Sequence, residues 1–165
     1  VAHRVPRISA LVISDYAKGV LTPRLLQELL RMAKSASVPS FVDPKGPDLS
    51  RYRGSTYLKP NRLETGILAG MQTSNHEETL GAGRHLVAQL QGTNLLVTEG
   101  GDGMTLFWPD GTTEHVSTNP LQVFDVTGAG DTVLATFAMA ICAGVRGRDA
   151  MWIATRAAEI AIGIL

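Results

Sequence analysis

The sequence predicts an α/β domain built on a mainly parallel sheet flanked by helices. Short, nearly continuous apolar runs alternate with segments of helical periodicity, the pattern of strands buried on both faces between crossover helices. The unusual polar residues fall just after those runs, where sheets of this class bind ligands.

The elements follow in order. "SALVISD" (9–15) reads as a first strand. "TPRLLQELLRMAKSA" (22–36) places Leu25, Leu26, Leu29, Leu30 and Ala33 on one helical face, with Thr22 as N-cap and Pro23 as first helical residue. "VPSFVDP" (38–44), "STYLKP" (55–60) and "NLLVTEG" (94–100) read as further strands, and "NRLETGILAG" and "NHEETLGAGRHLVAQL" between the last two as helices. "GMTLFWPDGTTEHVS" alternates about Pro109-Asp110-Gly111 and predicts a hairpin. Two helices, 128–144 and about 147–163, close the chain.

Composition narrows the function. With 165 residues, 44% hydrophobic and 18% charged, the chain suits one soluble globular domain. A formal net charge of zero gives no general pull toward nucleic acid or acidic membranes, and neither is expected as a partner. No apolar run reaches the ~20 residues of a bilayer span, and the start lacks the pattern of a signal peptide. The one cysteine, Cys142, lies in the apolar run "FAMAICAGV" and is expected in the core. With no disulfide framework, a reducing cytoplasm is the expected location. His3, His76, His85 and His115 show no metal-ligand spacing with Cys142, so no zinc site is expected. Trp108 and Trp152 are expected to be packing residues.

The polar residues at the strand ends are Asp15, Asp43, Lys45, Asn61 and Glu99. Singly each reads as a cap or a loop residue; together on one rim they favour a site. The stretch "FDVTGAGDTV" (124–133) sharpens this, because a helix starts inside it. A first helical turn leaves backbone N–H groups unpaired and carries partial positive charge, and glycines let an anion approach them. Asp131 follows those glycines directly, where it would repel a bound anion. The arrangement makes sense if Asp131 accepts a proton from an attacking hydroxyl while the amides of Ala129, Gly130 and Asp131 hold a moving phosphoryl group. The alternative is an ordinary glycine-rich turn with an acidic first helical turn. "TGAGD" is not G-x-G-x-x-G and opens no first βαβ unit, which argues against a dinucleotide fingerprint.

"DVTGAGDT" (125–132) resembles the C-terminal signature of the ribokinase-like (PfkB) carbohydrate kinases. "KPNRLE" (59–64) resembles the family's Asn-x-x-Glu element, and "VTEGGDG" (97–103) its nucleotide-side strand and turn. Within the family, "SDYAKG" (14–19), "DPKG" (43–46) and "RYRG" (51–54) look most like the branch that phosphorylates heptose 7-phosphate. The similarity runs through the whole chain from about residue 9.

The resemblance implies a ribokinase-like fold and an ATP-dependent sugar kinase. It would make the 1,7-bisphosphate of a heptose 7-phosphate on the way to ADP-heptose in the bacterial cytoplasm. Asp131 would be the general base, and Gly128, Ala129 and Gly130 the anion hole. Asn61, Thr98, Gly100 and Gly103 would border the nucleotide. Glu64 would organise Mg²⁺ through water, because that ion gives up its hydration shell reluctantly. Asp125 would sit in a monovalent-cation (K⁺) loop, and Lys18 and Lys45 would contact the phosphate of the sugar. Family kinases also carry an N-terminal half with a sugar-binding Asp and a β lid, through which a homodimer would form. That half and lid are missing from 1–165, so the chain is expected to be the nucleotide-side, C-terminal portion of such a domain. Arg156 stands where the nearest relatives have Asn near the adenine pocket. Two other functions stay open: another sugar or nucleoside kinase of the family, and a non-catalytic nucleotide-binding module.

Overall fold

The structure, a computed structural model, describes residues 8–118 and 128–163. Six strands form one sheet in the order β1 (Leu11–Ser14), β2 (Ser40–Asp43), β3 (Tyr57–Leu58), β4 (Asn94–Thr98), β5 (Met104–Phe107) and β6 (Thr113–Val116). β1 to β4 run parallel, and β5 and β6 add antiparallel at the far side. The α/β class with a mainly parallel sheet flanked by helices, expected from the sequence, is present. The parallel strands are shorter than the apolar runs. Pro60, for example, lacks the N–H that would carry the ladder past Lys59.

Helix α1 (Pro23–Ser35) begins as expected, with Thr22 Oγ1 accepting from Leu25 N at 3.2 Å and Pro23 in the first turn. Its buried face is Leu26, Leu30 and Ala33, while Leu25 remains 38% exposed. Helices α2 (Arg62–Ala69) and α3 (His76–Leu90) fill the crossover from β3 to β4. The predicted hairpin turns at Gly111 (φ 88°), and Asp110 Oδ1 accepts from Thr112 N at 2.8 Å. Helices α4 (Ala129–Cys142) and α5 (Gly147–Gly163) end the chain. No helix among the described residues is long and apolar enough to cross a membrane.

Alternation along the strands divides the core in two. Val42, Leu58, Leu95, Val97 and Phe107 point to one face and pack on α1, α2 and α3. Phe41, Tyr57, Leu96, Met104 and Leu106 point to the other and pack on α4 and α5. On that face Phe41 stacks on its register partner Tyr57, with centroids 4.9 Å apart, and Phe137 of α4 meets both rings edge-on. Such aromatic pairs contribute about 0.5–1.5 kcal/mol each beyond the area they bury. The cluster seats α4 with its first turn over the carboxyl ends of β1 to β3.

Two expectations are corrected here. Cys142 is exposed at the end of α4, its thiol donating to Ser9 O at 3.3 Å. The run around it is apolar on all sides, yet Phe137, Ala138 and Ala140 are its buried residues, with Ile141 packed partly beside them, and Met139 is 70% exposed. Trp152 is also exposed, lying under the Arg156 guanidinium on the surface of α5, whereas Trp108 packs partly buried on the second core.

Candidate active site

A cleft of about 710 Å³ opens at the carboxyl ends of the parallel strands, between them and the first turn of α4. Gly128 is the N-cap of that helix at φ 81°, a conformation that favours glycine, and as a glycine it makes no side-chain capping bond. The first turn, Gly128 to Asp131, lines the cleft, and amides at a helix start have no intrahelical partner. A Cβ built at Gly130 would lie 3.6 Å from Lys59 Nζ and 4.0 Å from Asp43 Oδ2. The bare glycine thus leaves a cradle between the helix start and a cation.

Asp131 stands in the same first turn. Ser14 Oγ donates to its Oδ1 at 3.1 Å and Tyr16 Oη to its Oδ2 at 2.5 Å. Both donors come from the end of β1 and the segment after it, so a carboxylate from late in the chain is held by residues from its start. The hydrogen bond to Asp131 is also the main reason the Tyr16 phenol titrates above its ordinary value.

Lys59 was missed by sequence reasoning, although it lies inside the quoted "KPNRLE". It is 2% exposed and pairs with Asp43 at 3.0 Å. Burial pushes the Asp43 carboxyl above the usual range; Lys59 opposes that shift, and the charges of Glu64 and Asp131 add to it. Asp43 thus feels two further carboxylates besides the buried ammonium it pairs with. A lysine ending a buried strand was the available signal, since a buried charge needs a partner.

The Asn-x-x-Glu element has a structural role. Asn61 Oδ1 accepts from Glu64 N at 2.8 Å and Glu64 Oε2 accepts from Asn61 N at 3.0 Å, a capping box that starts α2. Glu64 Oε1 receives Lys45 Nζ at 2.7 Å, and that contact raises the lysine's pKa. Lys45 and Glu64, expected to contact phosphate and metal respectively, are therefore partners on the cleft wall. Lys18 is exposed and is not among the cleft-lining residues. Asp125 lies outside the described residues.

Of the nucleotide-side residues, Thr98 ends β4 and bridges to Asn61, bringing the two expected positions together. Gly100 (φ 63°) has open space where a Cβ would go. Gly103 (φ 99°) does not: a Cβ there would come 2.0 Å from Val116 O, so hairpin packing already requires this glycine. Arg156 pairs with Glu159 at 2.6 Å, while the cleft itself is lined by Thr155, Ala158 and Glu159. Asp15, noted on the rim, serves the loops: it accepts from Ala17 N at 2.8 Å and pairs with Arg51 at 3.2 Å. The Tyr52 hydroxyl lies 3.0 Å from Asp15 Oδ2 and accepts from Lys45 N at 2.9 Å, tying the loop after β1 to the loop after β2.

Comparison with known proteins adds independent findings. Residues 3–163 match the family model described as pfkB family carbohydrate kinase. The chain is 45% identical over 157 residues to the Bifunctional protein HldE of Geobacter metallireducens, covering 95% of this chain and 32% of that protein. It is 42% identical over 165 residues to the Bifunctional protein HldE of Yersinia enterocolitica, covering 100% of this chain and 34% of that protein. The chain thus spans about a third of the length of these relatives. Among solved structures it resembles Arabidopsis thaliana ribokinase complexed with ribose and ATP, with a TM-score of 0.86 and 25% identity over 98% of this chain and 52% of that one. Trypanosoma brucei brucei adenosine kinase shares the fold at a TM-score of 0.83 and 18% identity, over 98% of this chain and 54% of that one.

Proposed function

The chain belongs to the pfkB family of carbohydrate kinases, and on that premise we propose that its cleft transfers the γ-phosphoryl group of ATP to a sugar hydroxyl, with Asp131 as the base. The observation that carries this reading is the position of Asp131 in the first turn of α4, across the Gly130 cradle from Lys59. In the step, the sugar oxygen attacks the γ-phosphorus, the bond to the β–γ bridging oxygen breaks, and ADP leaves. The hydroxyl proton passes to Asp131. Ser14 and Tyr16 each donate to one oxygen of Asp131, which leaves acceptor positions on the carboxylate for the sugar hydroxyl. The amides of Ala129, Gly130 and Asp131, with Lys59 Nζ, offset the charge that develops on the phosphoryl oxygens.

The oxygen-rich wall fits the Mg²⁺ that accompanies ATP, since Asp43, Glu64 and Asp131 all line the cleft and the charges of the latter two reach Asp43. When bound, that ion neutralises charge on the nucleotide phosphates. Asn61, Thr98 and Gly100 border the space for the nucleotide.

For the substrate we favour heptose 7-phosphate, phosphorylated at its anomeric hydroxyl. The support is the likeness of "SDYAKG", "DPKG" and "RYRG" to that branch of the family, together with Lys45 on the cleft wall. The test is an ATP-consumption assay on the intact protein with heptose 7-phosphate, free heptose and ribose. Preference for the 7-phosphate is expected. Equal use of heptose and its 7-phosphate would remove the phosphate pocket, and turnover of ribose alone would move the protein to another branch.

A further inference from the structure

The turn after β4 holds a carboxylate that the kinase chemistry does not use. The Glu99 side chain is wholly buried. Its Oε1 accepts from Thr105 Oγ1 at 2.5 Å, and its Oε2 receives Arg62 at 3.3 Å. His76 Nδ1 lies 2.8 Å from Oε2, and His115 Nδ1 lies 4.0 Å from Oε1. The two imidazoles face each other with centroids 4.6 Å apart. One nitrogen from each ring and a carboxylate oxygen all lie within 4.8 Å of one another.

The local charge favours a cation. Arg62 is shared between Glu99 and Asp102, so one guanidinium faces two carboxylates. With both imidazoles neutral, one negative charge is left over, and a divalent ion accepting one nitrogen from each ring more than offsets it.

We propose that His76, Glu99 and His115 form a binding site for a divalent transition-metal ion of the Zn²⁺ class. Two imidazoles and a carboxylate suit Zn²⁺, Co²⁺ or Ni²⁺ rather than Mg²⁺, which takes oxygen ligands. Tetrahedral coordination at ordinary Zn–N and Zn–O lengths puts ligand atoms roughly 3.4 Å apart, a small closure from the present spacing. Rotation of the two rings supplies it, since the His76 and His115 side chains are 39% and 31% exposed. Supporting contacts are in place: Thr105 and Arg62 orient the carboxylate and use two of its roughly four acceptor positions. His115 Nδ1 also lies 2.9 Å from Thr105 Oγ1, a contact that the ring leaves on turning to the ion. Ser117 Oγ lies 3.4 Å from His115 Nε2, the nitrogen left over for an outer hydrogen bond. The ligands come from the first turn of α3, the turn after β4 and strand β6. An ion there staples the hairpin to the turn that carries Gly100 and Gly103.

The test is titration of the intact, chelator-treated protein with Co²⁺ under excess Mg²⁺, followed by visible ligand-field absorption. Thermal unfolding with and without Zn²⁺ accompanies it. One saturating equivalent of Co²⁺ and a higher Tm with Zn²⁺ are expected. Both are expected to weaken by about tenfold or more in apparent affinity in His76→Ala and in His115→Ala, and to persist in His85→Ala, which alters a histidine outside the cluster. Absence of the Co²⁺ absorption, or its survival in either His76→Ala or His115→Ala, would overturn the site. Neither readout involves phosphoryl transfer, so failure here leaves the kinase reading untouched.

Discussion

Tyr16 Oη donates to Asp131 Oδ2 at 2.5 Å across 115 residues of chain. The contact joins the segment after β1 to the helix that carries the proposed base, and it uses one of the acceptor positions of that carboxylate. The phenol is 61% exposed, and with Ser14 it holds the carboxylate in one orientation.

Two measurements follow from that relationship. Asp131→Asn is expected to lower turnover by about 10²-fold or more, the scale of a general base, with nucleotide affinity little changed. Because the hydrogen bond to Asp131 is what chiefly raises the Tyr16 pKa, Asp131→Ala should move that phenol's ultraviolet titration down toward its ordinary value. Near-normal turnover in the Asn variant would reject the base. An unmoved phenol titration in the Ala variant would reject the contact.

Lys59 and Asp43 form the buried pair beneath the cradle, and removing one partner strands the other. Lys59→Met should cost about 3 kcal/mol at neutral pH, as breaking a buried pair does. The sign with pH follows from Asp43, whose folded pKa lies above its ordinary value. Such a carboxyl binds a proton more readily folded than unfolded, so it costs stability above its raised pKa and the cost fades as pH falls through it. Without Lys59 the pKa rises further. The deficit of Lys59→Met, read from urea midpoints, should therefore narrow between neutral pH and ~pH 5. Asp43→Asn added to Lys59→Met should recover part of the stability but none of the turnover. A deficit that widens in acid would show that the pair is not what the lysine holds.

Much of the fold was legible because its signals are local. Thr22-Pro23 opens α1 through a cap that needs three residues, and Asp110 and Gly111 shape a turn within four. Asp131 stood out for the same reason: a carboxylate directly after glycines at a helix start is a local anomaly. What was hidden depends on the fold. His76 and Glu99 are 23 positions apart, and no ligand spacing announces a cluster that a crossover helix and a hairpin bring together. Lys18 and Lys45 follow adjacent strands, yet only Lys45 lines the cleft. Gly103 resembled a nucleotide contact, while the close approach of Val116 O already demands a residue without Cβ. Cys142 failed as a core residue because a wholly apolar helix segment does not reveal which side meets the sheet.

Glu64 and Lys45 provide the test that separates cap from catalysis. One oxygen of Glu64 completes the capping box of α2 and the other holds Lys45. Glu64→Gln keeps an acceptor for the Asn61 amide, since Glu and Gln both serve at this capping position, so its stability should stay within about 1 kcal/mol of the parent. Removing the charge should nonetheless raise the Mg²⁺ concentration needed for half-maximal rate, with sugar affinity altered less. Glu64→Ala should show the same metal effect plus a lower Tm from the lost cap. Lys45 is half-exposed, so its pairing with Glu64 contributes little to stability. Lys45→Met should instead weaken binding of the phosphorylated sugar by ~1–3 kcal/mol, the scale of a lost hydrogen bond to a charged group. Lys18→Met, altering a residue that does not line the cleft, should have a smaller effect. If Glu64→Gln leaves the Mg²⁺ dependence unchanged while Glu64→Ala lowers Tm, Glu64 is a helix cap alone and the metal must be held by Asp43 and its neighbours.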